Sequence, residues 1–508
     1  MQVNRFLENS AQRNPESKAA WHDGRWMNYG EIESFSNKAA NGLLENGIRK
    51  GDRVALLVEN SFDYIIHYYA ILKAGAVTVA LNTAWTADML AYALNDSGAK
   101  CVVSNQRFSQ VLLPALRLSP GVDFVVQKQD DLSAFEETGR RRACRFSDIY
   151  ETGNPAKPDA EGIDADIASI VYTSGSTGKP KGVTLTHLNI VSNTRSIVDY
   201  LKLTPNDRVM TVLPFYYIYG KSLLNTHFYA GGSVVIDNRF AYPAVILETM
   251  KETQVTGFAG VPSTFMILLG KTNIRECRFD HLRYVTQAGG AMAVAVQKDV
   301  AKVFSPAELF VMYGATEASA RLSYLDPEQL HRKWGSIGKA IPNVRLTVVD
   351  ERGEELPPGE IGEIAAKGSN IMTGYWNDPA ETDKVLKNGW YFTGDLGKTD
   401  AEGFLYVVGR KKDMIKVGGE RVSAKEVEEK ILEIRQVHEV AVIGVPDELL
   451  GEAIKVFIVP GGDARLTEQD FGLEIRKRLP SYMHPKTIVI TAELPKNESG
   501  KILKNQLM

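Results

Sequence analysis

The chain has 508 residues, 44% hydrophobic and 24% charged, which is too long for one ordinary core and too apolar for a disordered protein. Its formal net charge of -3 leaves no basic footprint, which speaks against a nucleic-acid partner. Three cysteines, Cys101, Cys144 and Cys277, lack CxxC spacing; they fit a reducing compartment and argue against structural zinc. The first residues contain no apolar signal core, and runs such as 69–81 are broken by Lys73, short of the ~20 residues of a membrane span. The expectation is a soluble cytoplasmic protein of two or more domains.

Over the first 110 residues, helix-period and strand-period segments alternate. Ile32, Phe35, Ala39, Leu43 and Leu44 fall at helical spacing up to Gly47, and 53–58 reads as a buried strand. A helix over 61–74, a strand over 77–81, a helix over 87–95 and a strand over 100–104 continue the pattern. Repeated βαβ units predict an α/β fold with a parallel sheet covered by helices. Residues 127–165 are charged and weakly periodic, and read as a surface excursion.

The stretch 172–183, Y-T-S-G-S-T-G-K-P-K-G-V, follows the apolar run 167–171 and holds two serines, two threonines, three glycines and two lysines. Hydroxyls and glycine-exposed N–H groups in one loop suit a polyphosphate, and the two ammonium groups add countercharge. It is not a Walker A loop, because the first lysine is followed by proline rather than Ser or Thr. Thr186 is placed to cap a helix beginning near His187. Strands near 209–213, 233–236, 255–259, 284–286 and 309–312 then alternate with helical patterns. The unusual residues gather in the loops after these strands, at 214–220, 287–291 and 313–317, the sheet edge where open α/β folds bind ligands.

From about residue 343 the texture becomes β-rich, with runs at 345–349, 361–366 and 404–408. A fresh α+β pattern follows G-R-K-K at 409–412. Ser423 and Glu426 form a capping box before a helix to Leu432, strands follow at 440–443 and 455–458, and a helix covers 467–479. The expected division is 1–411 and 412–508.

Together the motifs Y-T-S-G-S-T-G-K-P-K-G, Y-G-A-T-E, Y-F-T-G-D, G-R-K-K-D and L-P-K-N-E-S-G-K-I, in this order, resemble the adenylate-forming superfamily of acyl-CoA synthetases, adenylation domains and luciferases. The chain is most like an AMP-forming acyl-CoA synthetase, and the likeness spans nearly its whole length. The resemblance implies a large N-terminal domain of helix-covered sheets with a β-rich lobe, and a small mobile α+β C-terminal domain. It implies an acid–thiol ligase that uses ATP and Mg2+ to convert a carboxylic acid to acyl-AMP and pass the acyl group to coenzyme A or an acyl-carrier protein.

The resemblance also assigns residues. Thr173, Ser174, Gly175, Ser176, Thr177, Gly178 and Lys181 would hold the β- and γ-phosphates; Thr316 and Glu317 would face the α-phosphate and magnesium, Glu317 as the hard oxygen ligand. Gly289, Gly290, Ala291, Tyr313 and Gly314 match the adenine slot, and Asp395 and Arg410 the ribose site. Lys501 matches the lysine that bridges the reacting carboxylate and the α-phosphate, although Asn497 and Glu498 depart from the usual ending. Lys412 falls at the hinge, and Lys416, Gly418 and Gly419 follow the downstream pattern.

For the acid, Tyr217 and, near it, Tyr219, Gly220, Lys221, Asn225, Pro262, Ser263, Gln287 and Met312 are the expected neighbours. Tyr217 stands where many acyl-CoA synthetases carry histidine; it cannot become cationic and would reshape the carboxylate end of the pocket. A catalytically silent scaffold that kept the fold is the rival of another class.

Overall fold

The computed structural model describes residues 1–129, 131–136, 142–173, 179–417, 420–461, 466–496 and 502–507. Two large sheets carry the N-terminal part. One runs in the order Gly374–Tyr375, Lys181–Thr186, Ile167–Thr173, Val77–Ala80, Arg53–Leu57, Ala99–Asn105, Phe124–Lys128 and Arg142–Arg145, and its last six strands are parallel. Strands such as Arg53–Leu57 and Val77–Ala80 read as unbroken apolar runs because helices cover both faces. Ser61 starts the helix Phe62–Lys73 by accepting from the Tyr64 N–H, and Asn28 with Glu31 closes a capping box on Tyr29–Glu45.

The second sheet has nine strands, with Glu308–Tyr313, Tyr284–Gln287, Gly257–Gly260, Arg208–Thr211, Ser233–Ile236 and Lys18–His22 parallel at its centre. Helices Phe62–Lys73, His187–Leu201 and Ile218–Ala230 share one apolar core with residues of both sheets, and the Tyr64 hydroxyl donates to the Phe215 carbonyl at 3.0 Å. A third, antiparallel sheet forms the β-rich lobe from Val344–Val349, Gly362–Gly368, Trp390–Thr399, Leu386–Lys387 and Leu405–Arg410. The fourth, built from Met414–Val417, Glu420–Ser423, Val437–Asp447, Gly451–Pro460 and Thr487–Ile490, packs its own core of Ile415, Val427, Ile431, Val456 and Phe471.

Three local expectations change. Residues 127–165 are more than an excursion: Arg142–Arg145 pairs in parallel with Phe124–Lys128 at the sheet edge, with half-buried Ala143 and Cys144 packed against the neighbouring cores between exposed arginines. Within the stretch 172–183, residues 174–180 separate two antiparallel strands, Ile167–Thr173 and Lys181–Thr186, the second of which the sequence pattern did not mark; Thr186 caps His187–Leu201 as expected, accepting from the Asn189 N–H. The Y-F-T-G-D motif lies within the ten-residue strand Trp390–Thr399.

Candidate active site

The parallel strands Tyr284–Gln287 and Glu308–Tyr313 end side by side, which brings the loops 288–291 and 314–317 together. Gly289, Gly290 and Ala291 are exposed, and the buried Gln287 amide ties their loop down by donating to the Gly290 carbonyl at 2.7 Å. Gly289 has φ 81°, and a Cβ there would stand 3.0 Å from Val261 Cγ1, so both backbone and space favour glycine. The loop thus offers bare backbone to a flat ring.

Tyr313 reaches across to the β-rich lobe. Its hydroxyl donates to Asp395 Oδ2 at 2.6 Å, while Arg410 Nε meets Asp395 Oδ1 at 2.7 Å. Asp395 and Arg410 are cross-strand partners, and Gly394 turns through φ 73° with its N–H donating to Glu363 Oε1 at 3.0 Å. Asp395 is buried, whereas the Arg410 side chain is 45% exposed, so the carboxylate is fixed and its cation borders solvent. Burial, and then the Asp395 carboxylate, hold the Tyr313 phenol well above its ordinary pKa, which keeps it a donor.

Thr316, Glu317 and Ala318 form a 3-10 turn directly after Gly314. A Cβ on Gly314 would lie 1.9 Å from the Ala320 carbonyl oxygen, so only glycine lets the chain fold back here. Glu317 is clamped twice: its carbonyl accepts from the Met372 N–H at 2.8 Å, and its Oε1 accepts from the Tyr375 hydroxyl at 2.8 Å. Tyr375 lies on the strand Gly374–Tyr375, paired with Val183 and Thr184 just beyond the phosphate loop. Burial and Glu317 raise its phenol pKa.

The Lys181 ammonium sits 5.0 Å from the Tyr375 ring centroid and is ion-paired with Glu381. Lys181 and Lys384 push the Glu381 carboxyl down to about 2. Glu317, Tyr375 and Lys181 therefore form a continuous chain, with Thr173 in register opposite Lys181. Ser174, Gly175, Ser176, Thr177 and Gly178 lie outside the described residues, as do Gly418, Gly419 and Lys501. Among the described residues no three His, Cys, Asp or Glu side chains gather to hold a metal. Glu317 alone suits Mg2+, which keeps several waters and takes one or two carboxylates together with substrate phosphates.

On the acid side, Tyr217 is the half-buried residue before the helix Ile218–Ala230, with the Asn82 amide 3.4 Å from its hydroxyl and Tyr216 packed at 4.6 Å between ring centroids. Gly220 is buried with no room for a Cβ, which would stand 2.2 Å from the Pro214 carbonyl oxygen. Tyr219 turns to the nine-stranded sheet, its hydroxyl 2.9 Å from Thr286 Oγ1. Lys221 faces the other way, fully buried, 5.1 Å from the Tyr68 ring centroid. Its Nζ has no hydrogen-bond partner among the described residues, and burial pushes its pKa down to about 7. Met312 Sδ accepts from the Tyr200 hydroxyl at 2.9 Å. Lys412 falls in the 3-10 turn Lys411–Asp413 between the third and fourth sheets, and exposed Lys416 anchors through its N–H on Glu452 Oε2 at 2.6 Å.

The sequence reading passed over Tyr375, Glu381 and Asn370. Tyr375 precedes the turn-forming run W-N-D-P, which was the available signal. Asn370 carried none: its amide bridges the Ala318 and Arg321 carbonyls at 3.0 and 2.8 Å, a tertiary contact across 49 residues or more.

The clamped carboxylate of Glu317 and the Tyr313–Asp395–Arg410 set on the adjoining lobe fall on the motifs that resemble the adenylate-forming class. The chain belongs to the AMP-binding enzyme family, whose model matches residues 7–376; the AMP-binding enzyme C-terminal domain matches residues 426–501. A long-chain-fatty-acid–CoA ligase of Bacillus subtilis strain 168 is 32% identical, over 99% of this chain and 93% of that protein. Among solved structures, the anthranilate CoA ligase AuaEII in complex with anthranoyl-AMP superposes with a TM-score of 0.91 at 25% identity, covering 100% of this chain and 96% of that one. ATP-bound MatB from Rhodopseudomonas palustris gives 0.88 at 30% identity, covering 100% and 98%. The fold, the family and the class of acyl-CoA ligase expected from the motifs all stand, and ATP binding goes with them. No helix among the described residues is long and apolar enough to cross a membrane.

Proposed function

We propose that this protein activates a carboxylic acid with ATP, releasing pyrophosphate as acyl-AMP forms, and then transfers the acyl group to the thiol of coenzyme A. The observation that carries the reading is the joining of Tyr313, Asp395 and Arg410 on one side to Glu317, Tyr375 and Lys181 on the other, through the single turn 313–317. Asp395 keeps free acceptor capacity for ribose hydroxyls, since a carboxylate offers about four lone-pair sites. Lys181 exchanges Glu381 for the β- and γ-phosphates. The acid oxygen attacks the α-phosphorus as the bond to pyrophosphate breaks, so the chain's task is alignment and charge neutralisation. Magnesium, when bound, neutralises phosphate charge; Glu317 would hold it. Lys501 would bridge the two reactants, and Lys412 would mark the boundary about which residues 412–508 turn, bringing Lys416 and the Gly418–Gly419 loop to the site for the second step.

Pyrophosphate release with ATP, Mg2+ and a panel of aliphatic, aromatic and amino acids tests the first half-reaction. Expected is release that depends on one acid class, followed by thioester formation with coenzyme A. No release with any acid would leave a silent scaffold, and thioester on an acyl-carrier protein alone would change the acceptor. The three cysteines are free, which suits a cytoplasmic enzyme.

A further inference from the structure

Arg321 is 2% exposed, and no carboxylate among the described residues lies within ion-pair distance of it. Its Nε has no hydrogen-bond partner there; its Nη1 donates to the carbonyl of the preceding residue, Ala320, at 3.1 Å, and the guanidinium also hydrogen-bonds the neutral Tyr200 hydroxyl, so none of these partners carries countercharge. The guanidinium carbon stands 4.5 Å from the centroid of the Tyr219 ring, whose hydroxyl is pinned on Thr286. The same cation is felt by Tyr200, which bonds Met312. Arg321 thus sits among the side chains expected around the acid.

The backbone is strained to put it there. Ser319 and Ala320 have φ of 56° and 111°, unusual for residues with a Cβ. Two amides hold the bend: Asn370 on the Ala318 and Arg321 carbonyls, and Asn193 on the Arg321 carbonyl at 2.8 Å. An uncompensated buried charge is strongly destabilising. An ammonium such as that of Lys221 escapes by losing its proton, but a guanidinium does not. A buried guanidinium with no counter-ion among the described residues, held by an over-determined backbone, suits an incoming anion.

We propose that the acid substrate carries a second carboxylate, which Arg321 grips beside the Tyr219 ring; the proposal rests on the ligase reading above. The reacting carboxylate is the poorer partner, because it loses its charge on becoming a mixed anhydride and would leave the cation unpaired for the second step. A distal carboxylate keeps its charge through both half-reactions. It also matches the planar fork, which donates two parallel N–H···O bonds to a carboxylate.

The test compares dicarboxylic acids with monocarboxylic acids of the same length, straight-chain and aryl, in pyrophosphate release by the full chain, the Arg321→Met and Arg321→Lys variants. Expected is a wild-type kcat/KM about 10- to 100-fold higher for the diacids, the range a charge-assisted hydrogen bond supplies. Arg321→Met should abolish or invert that ratio with ATP affinity by calorimetry unchanged, and Arg321→Lys should retain part of it. A wild type that prefers monoacids throughout overturns the proposal, as does an unchanged ratio in Arg321→Met. Should Arg321→Met fail to fold, the wild-type ratio and its fall in Arg321→Lys decide. Release with no acid at all would instead overturn the ligase reading.

Discussion

Lys221→Met should make the protein more stable at neutral pH, by an amount that shrinks as pH rises. The ammonium is wholly buried on the ring of Tyr68, and burial takes its pKa from 10.5 to about 7. The difference of about 3.5 units, at about 1.4 kcal/mol each, sets a ceiling of ~5 kcal/mol on the cost of the charge. The sign follows from proton counts. Below pH 7 the folded and unfolded chains both hold the proton, and the penalty is complete. Between about 7 and 10.5 the unfolded chain holds it and the folded chain does not, so wild-type stability rises with pH across that window. Methionine, unbranched and apolar, fills similar volume without the charge. Its advantage is therefore at most about 5 kcal/mol at pH 6 and at most about 2 kcal/mol at pH 9, where only deprotonating the unfolded lysine remains. Urea unfolding followed by tryptophan fluorescence at pH 6, 7, 8 and 9, taken as the difference between variant and wild type, removes the other titrating groups. A flat difference, or a destabilised Lys221→Met, would refute an unpaired buried ammonium. The same variant's acid profile tests Lys221 as a substrate contact.

Asp395→Ala should raise the ATP Kd about 10- to 100-fold by calorimetry, since it removes the acceptor shared by Tyr313, Arg410 and the ribose. Glu381→Gln should release Lys181 toward the phosphates and lower the KM for ATP by roughly twofold to fivefold, a small effect because the pair is near solvent; an unchanged KM would mean that Lys181 need not leave Glu381. With its carboxyl held at about 2, Glu381 stays ionised down to that pH, so this effect should be constant from pH 6 to 9. Lys501→Ala should impair acyl-AMP formation but spare thioester formation from supplied acyl-AMP, and Lys412→Pro should do the reverse if it fixes the adenylating arrangement; equal losses in both steps for both variants would mean one rigid geometry.

Much of this was legible because the signals were local. The helix cap at Thr186 and the buried strands Arg53–Leu57 and Val77–Ala80 lie where pattern and cap chemistry place them. The strand Lys181–Thr186 was hidden by the Gly/Ser-rich sequence in front of it: K-G-V-T-L-T is short, and residues 174–180, which separate it from Ile167–Thr173, carry no two-residue hairpin signal. Residues 127–165 misled for another reason, because an edge strand needs only one buried face and tolerates arginines on its flanks. In the site, motif residues such as Asp395 and Glu317 could be named, but their partners could not. Tyr375, Asn370 and Arg321 matter through contacts between distant segments, and no periodicity encodes those.

The two ends of the site differ in how completely the protein satisfies its own charges. At the end proposed for the nucleotide the three described carboxylates have donors: Asp395 has Tyr313 and Arg410, Glu317 has Tyr375, and Glu381 has Lys181 and Lys384. Such groups are held in place before ATP arrives, and little reorganisation is left for the moment of reaction. At the end proposed for the acid, Arg321 and Lys221 are buried basic groups without carboxylate partners among the described residues, on opposite sides of the helix that begins at Ile218. A nucleotide that never changes suits a site complete in itself, whereas a site left electrostatically incomplete selects the one substrate that completes it. The acid should therefore be sought among molecules that bring negative charge to Tyr219, and not among those that merely fit the space.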